Sequence, residues 1–480
     1  MDQRVFDEGK LPGSGEFTVM FKAKQVATVI KKMTRGKSPG HDGLSVEHLK
    51  YAGPHLYRVL ALLFNLCISH RYLPQDLMRT VVVPILKDRT GDASDVFNYR
   101  PISLATIVAK VLDSLLDQQL AKHIELHDAQ FGFKSGLSTE SAILCLKQTV
   151  QYYTARKTPV FACFLDLSKA FDLVSYEILW DKMRSDTTLP NEITSLFRYW
   201  YYNQSNSVRW AEAKSEMYEL QCGVRQGGLS SPRLFNFYVN QLVGELSSTK
   251  VGCHIDGVCL NNISYADDMV LLSPSIGALR KLVAICESYA VSHGLKYNGK
   301  KSELMLFKAS AINYSDVPGI SLCGTPLAWV TKFKYLGHWV TDDLRDNMDI
   351  ERERRSLAIR CNMLVRRFAR CTNPVKVTLF KAFCQSFYTC SLWTSFTQRT
   401  YSDLRVQYNN AFRILLGQSW RCSASTMFAE ARTDDFYAII RKRVASMLGR
   451  PRATTNGLLS VFSDRWDSPM LRHWVKIHSI

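Results

Sequence analysis

The chain has 480 residues, 46% of them apolar, and a formal net charge of +18 with a pI of about 9.3. This size allows a large core and two or three domains. No apolar run approaches the roughly 20 residues of a membrane span, and residues 1–8 lack the charged-then-apolar order of a signal peptide. We therefore expect an intracellular protein without a membrane partner, whose basic charge favours nucleic acid.

The first predicted elements alternate between helix and strand. Apolar spacing predicts a helix at Val46–Tyr51 and a strand at 81–87, where Pro84 indicates an edge or a bulge. Arg100-Pro101 is then expected to lead into a helix at 105–116.

The thirteen cysteines include no Cys-x-x-Cys pair, and several lie in apolar segments, so buried free thiols are expected rather than disulfides or a zinc site.

From residue 159 onward the predicted elements follow the order β-α-β-β-α-β, if a helix at 235–246 is left out. This is the order of the ferredoxin-like split unit, an α+β arrangement. The predicted elements are a strand at 159–165, a helical segment at 169–203, a hairpin at 263–273, a helix at Ile276–Ser292 and a strand at Glu303–Phe307.

Two adjacent carboxylates, Asp267 and Asp268, lie between two apolar runs that are typical of buried strands. They are therefore expected on the tight turn of the hairpin, which lets neighbouring side chains point at one spot. Anions so close raise each other's pKa unless a cation neutralises them. A hard divalent ion with oxygen ligands, such as Mg²⁺, suits this position.

A third carboxylate, Asp166, ends an apolar strand far earlier in the chain, so only the fold can bring it to the other two. Three carboxylates from two neighbouring strands could hold two metal ions roughly 3.5–4 Å apart, the arrangement used for phosphoryl transfer. The alternative is an exposed Asp-Asp turn together with an unrelated aspartate at a helix N-cap.

Eight sequence motifs follow one another in the order known from one enzyme family. Over roughly residues 30–345 the chain resembles the reverse transcriptases of non-LTR retrotransposons, the long interspersed elements. The motifs are SPGHDG at 38–43, NYRPISL at 98–104, QFGFK at 130–134 with Ser138-Thr139, FLDLSKAFD at 164–172, GVRQGG at 223–228, YADD at 265–268, Asn298 with KSE at 301–303, and YLG at 335–337.

The resemblance implies a right-hand polymerase of the α+β class. Residues 1–158 would form the fingers with an N-terminal extension, and 159–345 a palm with a ferredoxin-like βαββαβ core and an inserted fingers segment. A helical, basic thumb would follow at 346–450. The tail at 451–480 is as consistent with a docked segment as with a frayed one. Arginines in the thumb, including Arg366 and Arg367, would track a nucleic-acid backbone; a solvated helix face is the alternative.

The resemblance also assigns the acids and their metal. Asp166 and Asp267 would hold two Mg²⁺ ions, with Mn²⁺ as a substitute, while Asp268 has a looser role and Leu167 adds its backbone carbonyl. Lys301 would protonate pyrophosphate, although a plain surface lysine explains it nearly as well. Asp172 is expected to be a structural hydrogen-bonding acid.

Nucleotide contacts follow from the same resemblance. Arg100 would reach the triphosphate, Gln226 would lie beside the sugar, and Gly227 would allow close backbone approach. Phe171 would pack its ring under the incoming sugar and exclude ribonucleotides. The alternatives are a plain glycine turn at 225–228 and a core aromatic at Phe171. YLG at 335–337 resembles the loop that grips the primer end, and it can at the same time be a β-turn with a buried tyrosine.

The implied function is RNA-directed DNA polymerisation, a nucleotidyltransferase reaction that uses an RNA template, a DNA primer and deoxynucleoside triphosphates. Two alternatives remain: a catalytically silent, nucleic-acid-binding relic, and a reverse transcriptase of the group II intron maturase type. We see no endonuclease layout and no Cys/His knuckle, and so expect no nicking activity. The sequence predicts neither template choice, priming mode, protein partners nor whether the chain is a fragment.

Overall fold

The computed structural model describes residues 19–88, 90–309, 317–463, 465 and 467–478. They form two compact units. The first contains the described residues up to Glu125 together with Phe171–Tyr238, and the second contains Leu126–Ala170 together with the described residues from Val239 onward. The predicted domain boundaries at 158, 345 and 450 differ from this division and stay predictions.

The described α-helices are, in chain order, α1 (Ala23–Lys32), α2 (Val46–Tyr51), α3 (Pro54–His70), α4 (Gln75–Met78), α5 (Ile107–His123), α6 (Thr139–Ala155), α7 (Tyr176–Ser185), α8 (Asn191–Asn203), α9 (Ser231–Tyr238), α10 (Asn240–Ser248), α11 (Ile276–Ser292), α12 (Asn347–Arg367), α13 (Asn373–Cys384), α14 (Gln398–Leu416), α15 (Ala424–Glu430), α16 (Phe436–Ala453), α17 (Gly457–Ser460) and α18 (Pro469–His478). Short 3₁₀ turns occur at Val96–Asn98, Ala170–Asp172 and Cys390–Leu392.

The described strands are β1 (Arg79–Leu86), β2 (Tyr99–Ala105), β3 (Val160–Asp166), β4 (Ser205–Trp210), β5 (Ala213–Lys214), β6 (Tyr218–Glu219), β7 (His254–Ile255), β8 (Val258–Cys259), β9 (Asn262–Tyr265), β10 (Asp268–Ser273), β11 (Glu303–Phe307), β12 (Ser321–Leu322), β13 (Thr325–Pro326), β14 (Ala328–Trp329), β15 (Lys332–Tyr335) and β16 (His338–Thr341).

The first unit contains a sheet in the order β2-β1-β4-β5, with β6 also paired to β4. The predicted helix at 105–116 began too early, because Ala105 is the last residue of β2 and α5 starts only at Ile107. Pro101 is tolerated within β2 because β2 lies at the edge of this sheet, beside β1. Pro84 lies beyond the part of β1 that pairs with β4, in agreement with the expected edge position.

The predicted continuous helix at 169–203 is also wrong in part. The chain forms a 3₁₀ turn, then α7, then a break at 186–190, and then α8. Pro190 is the N-cap of α8, and because it has no N–H, a helix cannot run through it without losing a hydrogen bond. Both helices belong to the first unit and not to the unit that contains β3.

The second unit contains the predicted ferredoxin-like sheet, in the order β14-β11-β3-β10-β9. β3 is antiparallel to both β10 and β11, and β10 is antiparallel to β9. The helices α10 and α11 pack against this sheet. The helix that the sequence analysis left out splits into α9 and α10, and α10, not the predicted segment at 169–203, is the helix that precedes the second strand of the β-α-β-β-α-β unit.

Apolar burial explains why β3 lies in the middle. Val160–Leu165 are all buried, as expected for a strand covered on both faces. Cys163 of β3 and Cys286 of α11 are both buried, and α11 packs against β3. The thirteen cysteines are free thiols, of which eight are buried and five are partly or fully exposed.

The C-terminal segment docks onto the second unit. Met470 and Trp474 of α18 are buried, and the Trp474 indole N–H donates to the Ser391 carbonyl at 2.7 Å. Of the two alternatives left by the sequence, the docked tail is the correct one for the residues described.

In the whole part of the chain that the structure describes, no helix combines the length and the apolar character that a membrane crossing demands.

Candidate active site

The sheet register of the second unit brings two of the three predicted acids side by side. Asp166, at the end of β3, is the cross-strand partner of Asp268, at the start of β10. Directly opposed residues of an antiparallel pair project from the same face of the sheet. Asp267 lies beside them on the two-residue turn that joins β9 to β10. We call β9, this turn and β10 the acid hairpin.

The turn of the acid hairpin has an unusual backbone. Ala266, its first residue, has φ = 56° and is buried. Two-residue hairpin turns need a positive φ at this position, and glycine, asparagine and aspartate adopt it with less strain than alanine. The alanine conformation is therefore held by its surroundings, and strain of this kind is concentrated at functional sites.

Electrostatics shows that the three acids interact. The surrounding protein desolvates Asp268 even though its side chain reaches solvent, and the Asp267 and Asp166 carboxylates repel its charge; together these effects raise the pKa of Asp268 from 3.8 to about 6. An added cation would relieve this repulsion. The three side chains supply the oxygen ligands that Mg²⁺ prefers.

These residues fit a divalent cation without forming a complete cage. In the part of the chain that the structure describes, no group of three or more His, Cys, Asp or Glu side chains is close enough to enclose a metal ion. Mg²⁺ commonly binds through one or two carboxylates, and waters and substrate phosphates complete its shell. An open set of carboxylates is therefore compatible with a metal that also binds substrate.

The turn that precedes β11 fixes the end of β3. The Asp166 N–H donates to Ser302 Oγ at 3.1 Å, and the Asp166 carbonyl accepts from the Asn298 N–H at 2.8 Å. Leu167 is buried and forms an isolated β-bridge with Tyr297. Lys301 is exposed on this turn, directly before Ser302. The structure thus places Lys301 and Leu167 in the same unit as the acids.

The YLG motif forms a second tight hairpin, between β15 and β16. Leu336 and Gly337 both have positive φ, 47° and 83°, as a type I′ turn requires. On β15, Phe333 stacks on Phe164 with ring centroids 4.1 Å apart, and Tyr335 is buried. Because Phe164 precedes Asp166 by two positions, β15 packs on the same face of the sheet that carries Asp166. The β-turn with a buried tyrosine is therefore present, and the role of this loop in gripping the primer end stays a prediction.

The remaining predicted residues lie in the first unit, where residues 225–228 form what we call the Gln226 loop. Gln226 Nε2 donates to Asp172 Oδ1 at 3.0 Å, and the Gln226 carbonyl accepts from the Ser103 N–H at 2.8 Å. Gly227 has φ = 108°, and a Cβ there would lie 3.1 Å from the Ser103 carbonyl oxygen. Glycine is thus required by conformation and by space.

Phe171 is hydrogen-bonded through its backbone to the residue that directly precedes this loop. It is half-buried, its ring stacks on Phe235 with centroids 4.8 Å apart, and its carbonyl accepts from the Val224 N–H at 2.7 Å. Arg100 is exposed on β2, three residues before Ser103, so the two Cα atoms are separated by roughly 10 Å of strand. The structure therefore brings Phe171, Gln226 and Gly227 together and places Arg100 farther along the adjacent strand.

Two residues that fix the Gln226 loop were missed by sequence reasoning. Arg225 is buried, with its guanidinium carbon 4.1 Å from the Trp200 ring centroid. Asp113 of α5 accepts hydrogen bonds from the Leu229 N–H at 2.8 Å and from Ser230 Oγ at 2.5 Å. The available signal for Asp113 was an acid within the apolar stretch VLDSLL of α5.

The arginines predicted for the thumb separate into two groups along the chain. Those on the N-terminal part of α12 are occupied by ion pairs with Asp349, Glu351 or Glu353; they are Arg352, Arg354, Arg355 and Arg360. Those at its C-terminal end and just beyond are exposed; they are Arg366, Arg367 and Arg370. The basic surface available to a phosphate backbone is thus narrower than the sequence indicates.

Comparison with known proteins decides the family. A family model described as Reverse transcriptase (RNA-dependent DNA polymerase) matches residues 87–340, more than half of the chain. The chain belongs to this family. Together with the ferredoxin-like sheet, this confirms the predicted fold class of a right-hand polymerase.

Curated relatives confirm the predicted kinship with retrotransposons. The RNA-directed DNA polymerase from mobile element jockey of Drosophila funebris is 24% identical over 83% of this chain and 44% of its own length. The Pol polyprotein from type-1 retrotransposable element R2 of Popillia japonica is 28% identical over 63% of this chain and 42% of its own length. The chain therefore spans less than half the length of these relatives. Among solved structures, the apo telomerase of Candida tropicalis covers 88% of this chain and 71% of its own, with 12% identity and a TM-score of 0.43.

Proposed function

We propose that this chain is an RNA-directed DNA polymerase that extends a DNA primer on an RNA template, and that Asp166 of β3, with Asp267 and Asp268 of the acid hairpin, provides its metal-binding carboxylates. The observation that carries the proposal is the in-register pairing of Asp166 with Asp268, beside Asp267, in the ferredoxin-like sheet of a reverse transcriptase family member. Carboxylates that repel one another lower the stability of the folded protein, and a bound cation would relieve this repulsion.

The reaction would join the primer 3′-oxygen to the α-phosphorus of a deoxynucleoside triphosphate and release pyrophosphate. Asp166, Asp267 and Asp268, with the Leu167 carbonyl, would hold two Mg²⁺ or Mn²⁺ ions. These ions would lower the pKa of the primer hydroxyl and neutralise the leaving pyrophosphate. The three carboxylates supply the negative charge for binding them, and the β3–β10 register fixes two of the three.

The other predicted residues would contact the nucleotide. We assign Gln226 to its sugar, Gly227 to the close approach of the backbone, Phe171 to the discrimination against a 2′-hydroxyl, and Arg100 to the triphosphate. In the second unit, Lys301 would donate a proton to the pyrophosphate. The hydrogen bond from Gln226 to Asp172 and the stacking of Phe171 on Phe235 support the assignments of Gln226 and Phe171, because both limit side-chain motion.

Primer extension tests the proposal. The chain, a DNA primer annealed to RNA, and deoxynucleoside triphosphates should give extended DNA with Mg²⁺ and none with EDTA. Asp267→Asn should abolish extension, whereas Asp403→Asn, which removes an exposed acid from α14 of the same unit, should not. A chain that binds the primer–template but never extends it would be the inactive relic, and the proposal would be wrong.

A further inference from the structure

Residues 130–133, the QFGF segment, flank the acid hairpin and pair with it through an isolated β-bridge. The Phe131 N–H donates to the Ser264 carbonyl at 2.8 Å, and the Ser264 N–H donates to the Ala129 carbonyl at 2.8 Å. Gln130 and Ser264 form a parallel β-bridge. This segment is thus hydrogen-bonded to β9 immediately before the turn that carries Asp267.

The side chain of Gln130 reaches the turn itself. Its Oε1 accepts from the Ala266 N–H at 3.0 Å and from the Gly132 N–H at 2.9 Å, and the residue is completely buried. Two N–H donors can face only the oxygen of the amide, so its orientation follows from chemistry. The Nε2 end is buried without a hydrogen-bond partner among the described residues, so the polar contribution of this side chain lies in its oxygen.

This hydrogen bond supplies the acceptor for a buried backbone N–H of the turn. The buried Ala266 N–H would lose this acceptor without Gln130, and Ala266 has the strained positive φ that must be held by its surroundings. The backbone is packed tightly here as well, since a Cβ on Gly132 would lie 2.6 Å from the Ala266 nitrogen. Gln130, which belongs to neither β9 nor β10, thus holds the backbone of this turn through a buried hydrogen bond.

We infer that Gln130 is a positioning residue of the acid hairpin, which holds the Ala266–Asp267 turn so that the aspartates can share a divalent cation. This role rests on the proposed function. Gln130 would touch neither substrate nor metal; it would act through the backbone of Ala266.

Gln130→Met tests this inference, because it keeps the length and volume of the side chain and removes the amide oxygen. The matched control is Gln148→Met on α6 of the same unit, which removes another buried glutamine acceptor, the one bonded to Ser468 Oγ at 2.8 Å. Both variants should lose similar thermal stability. Only Gln130→Met should speed the hydrogen exchange of the Ala266 amide, roughly tenfold or more, since its acceptor is gone.

Titration with Mn²⁺ alone, followed by electron paramagnetic resonance without nucleic acid or nucleotide, gives the second readout. Gln130→Met should weaken Mn²⁺ binding about 10- to 100-fold, as is usual when an outer-shell support of metal ligands is removed. Gln148→Met should leave it unchanged. If Gln130→Met does not fold, Gln130→Asn, which withdraws the acceptor by one carbon, provides the same comparison.

The outcomes distinguish the positioning role from the proposed function. A folded Gln130 variant with wild-type exchange at Ala266, or with wild-type Mn²⁺ affinity, would overturn the positioning role. If the wild-type chain neither bound Mn²⁺ nor extended a primer, the proposed function would fail. Faster exchange at Ala266 in Gln130→Met would then still show that Gln130 holds the turn, and unchanged exchange would contradict it.

Discussion

The two compact units fix their candidate site residues by different physical means. In the second unit, sheet register brings Asp166 and Asp268 together although their charges repel each other, and this repulsion contributes to the raised pKa of Asp268. In the first unit, Phe171 and Gln226 are held by favourable contacts, a stacked ring and a hydrogen bond to Asp172.

This difference has a consequence for stability. Residues that repel one another oppose folding, so removing one of the charges should leave the protein equally stable or more stable. Residues that make satisfied contacts contribute to folding, so removing them should destabilise it. Substitutions at these residues can therefore be followed by two measurements: activity, which tests the role of the residue, and stability, which shows whether its contacts favour or oppose folding.

The largest effect is expected at Asp166 of β3 and at Asp267 of the acid hairpin. Asp166→Asn and Asp267→Asn should each reduce primer extension by roughly a thousandfold or more, because a metal-binding charge contributes several kcal/mol to such a reaction. In metal-free buffer, Asp268→Asn, which removes the charge whose pKa is raised, should not melt below the wild type. A melting temperature well below that of the wild type, measured by calorimetry, would mean that these acids are structural and would remove the contrast between the units.

Phe171→Val, in contrast to Asp268→Asn, should lower the stability of the protein. Loss of half-buried aromatic packing should lower the free energy of unfolding by about 1–3 kcal/mol. If the ring contacts the sugar, the ratio of kcat/KM for deoxyribonucleotides over ribonucleotides should fall at least about tenfold. Phe197→Val, which alters a buried ring of α8 in the same unit, is the control and should lose stability without a change in this ratio. An unchanged ratio for both variants would make Phe171 a core residue only.

Charge reversal at the end of α12 tests whether the second unit also binds a polyanion. Arg366→Glu with Arg367→Glu should weaken primer–template binding and reduce the slope of log K against log salt by about one unit for each phosphate that is no longer neutralised. Arg355→Glu is the control, because that arginine already pairs with Glu351 at 2.9 Å and should change the slope less. Equal slopes for wild type and double variant in a binding titration would identify a merely solvated face.

The smallest effect is a pH dependence of stability. Since the pKa of Asp268 is about 6 in the folded protein and ordinarily 3.8, the folded state binds the extra proton between these values. This group therefore opposes folding above about pH 6, and the opposition is lost as the pH falls toward 4. In buffer with EDTA, Asp268→Asn should be more stable than the wild type at pH 8, and the gain should vanish near pH 4. A gain that does not depend on pH would contradict the repulsion of like charges.

Elements with a strong local signal were predictable from the sequence. The helix Ile276–Ser292 and the strand Glu303–Phe307 have the predicted bounds, because each is an apolar pattern closed by polar or glycine residues. The acid hairpin was predictable for the same reason. Tertiary pairing overrode local signals elsewhere: Arg100 and Pro101 lie in an edge strand because β1 offers a partner, which no local pattern shows.

The supports of the site were beyond the reach of sequence reasoning. Gln130 precedes Ala266 by 136 positions, and Asp113 precedes Leu229 by 116. Contacts at such separation depend on the fold and leave no periodic signal. The ion pairs of α12 were, in contrast, within reach of the sequence, because Glu351 precedes Arg354 and Arg355 by three and four residues, the spacing at which side chains of a helix pair.

Single-turnover incorporation of one deoxynucleotide tests the central claim most directly. Wild type and Asp267→Asn would each be bound in excess to the same primer on an RNA template, and the reaction started with Mg²⁺ and the complementary triphosphate. We expect the wild type to add one nucleotide, and Asp267→Asn to bind the primer–template equally tightly and add it at least about a thousandfold more slowly. Equal rates for the two proteins would contradict the assignment of the acid hairpin as the catalytic centre.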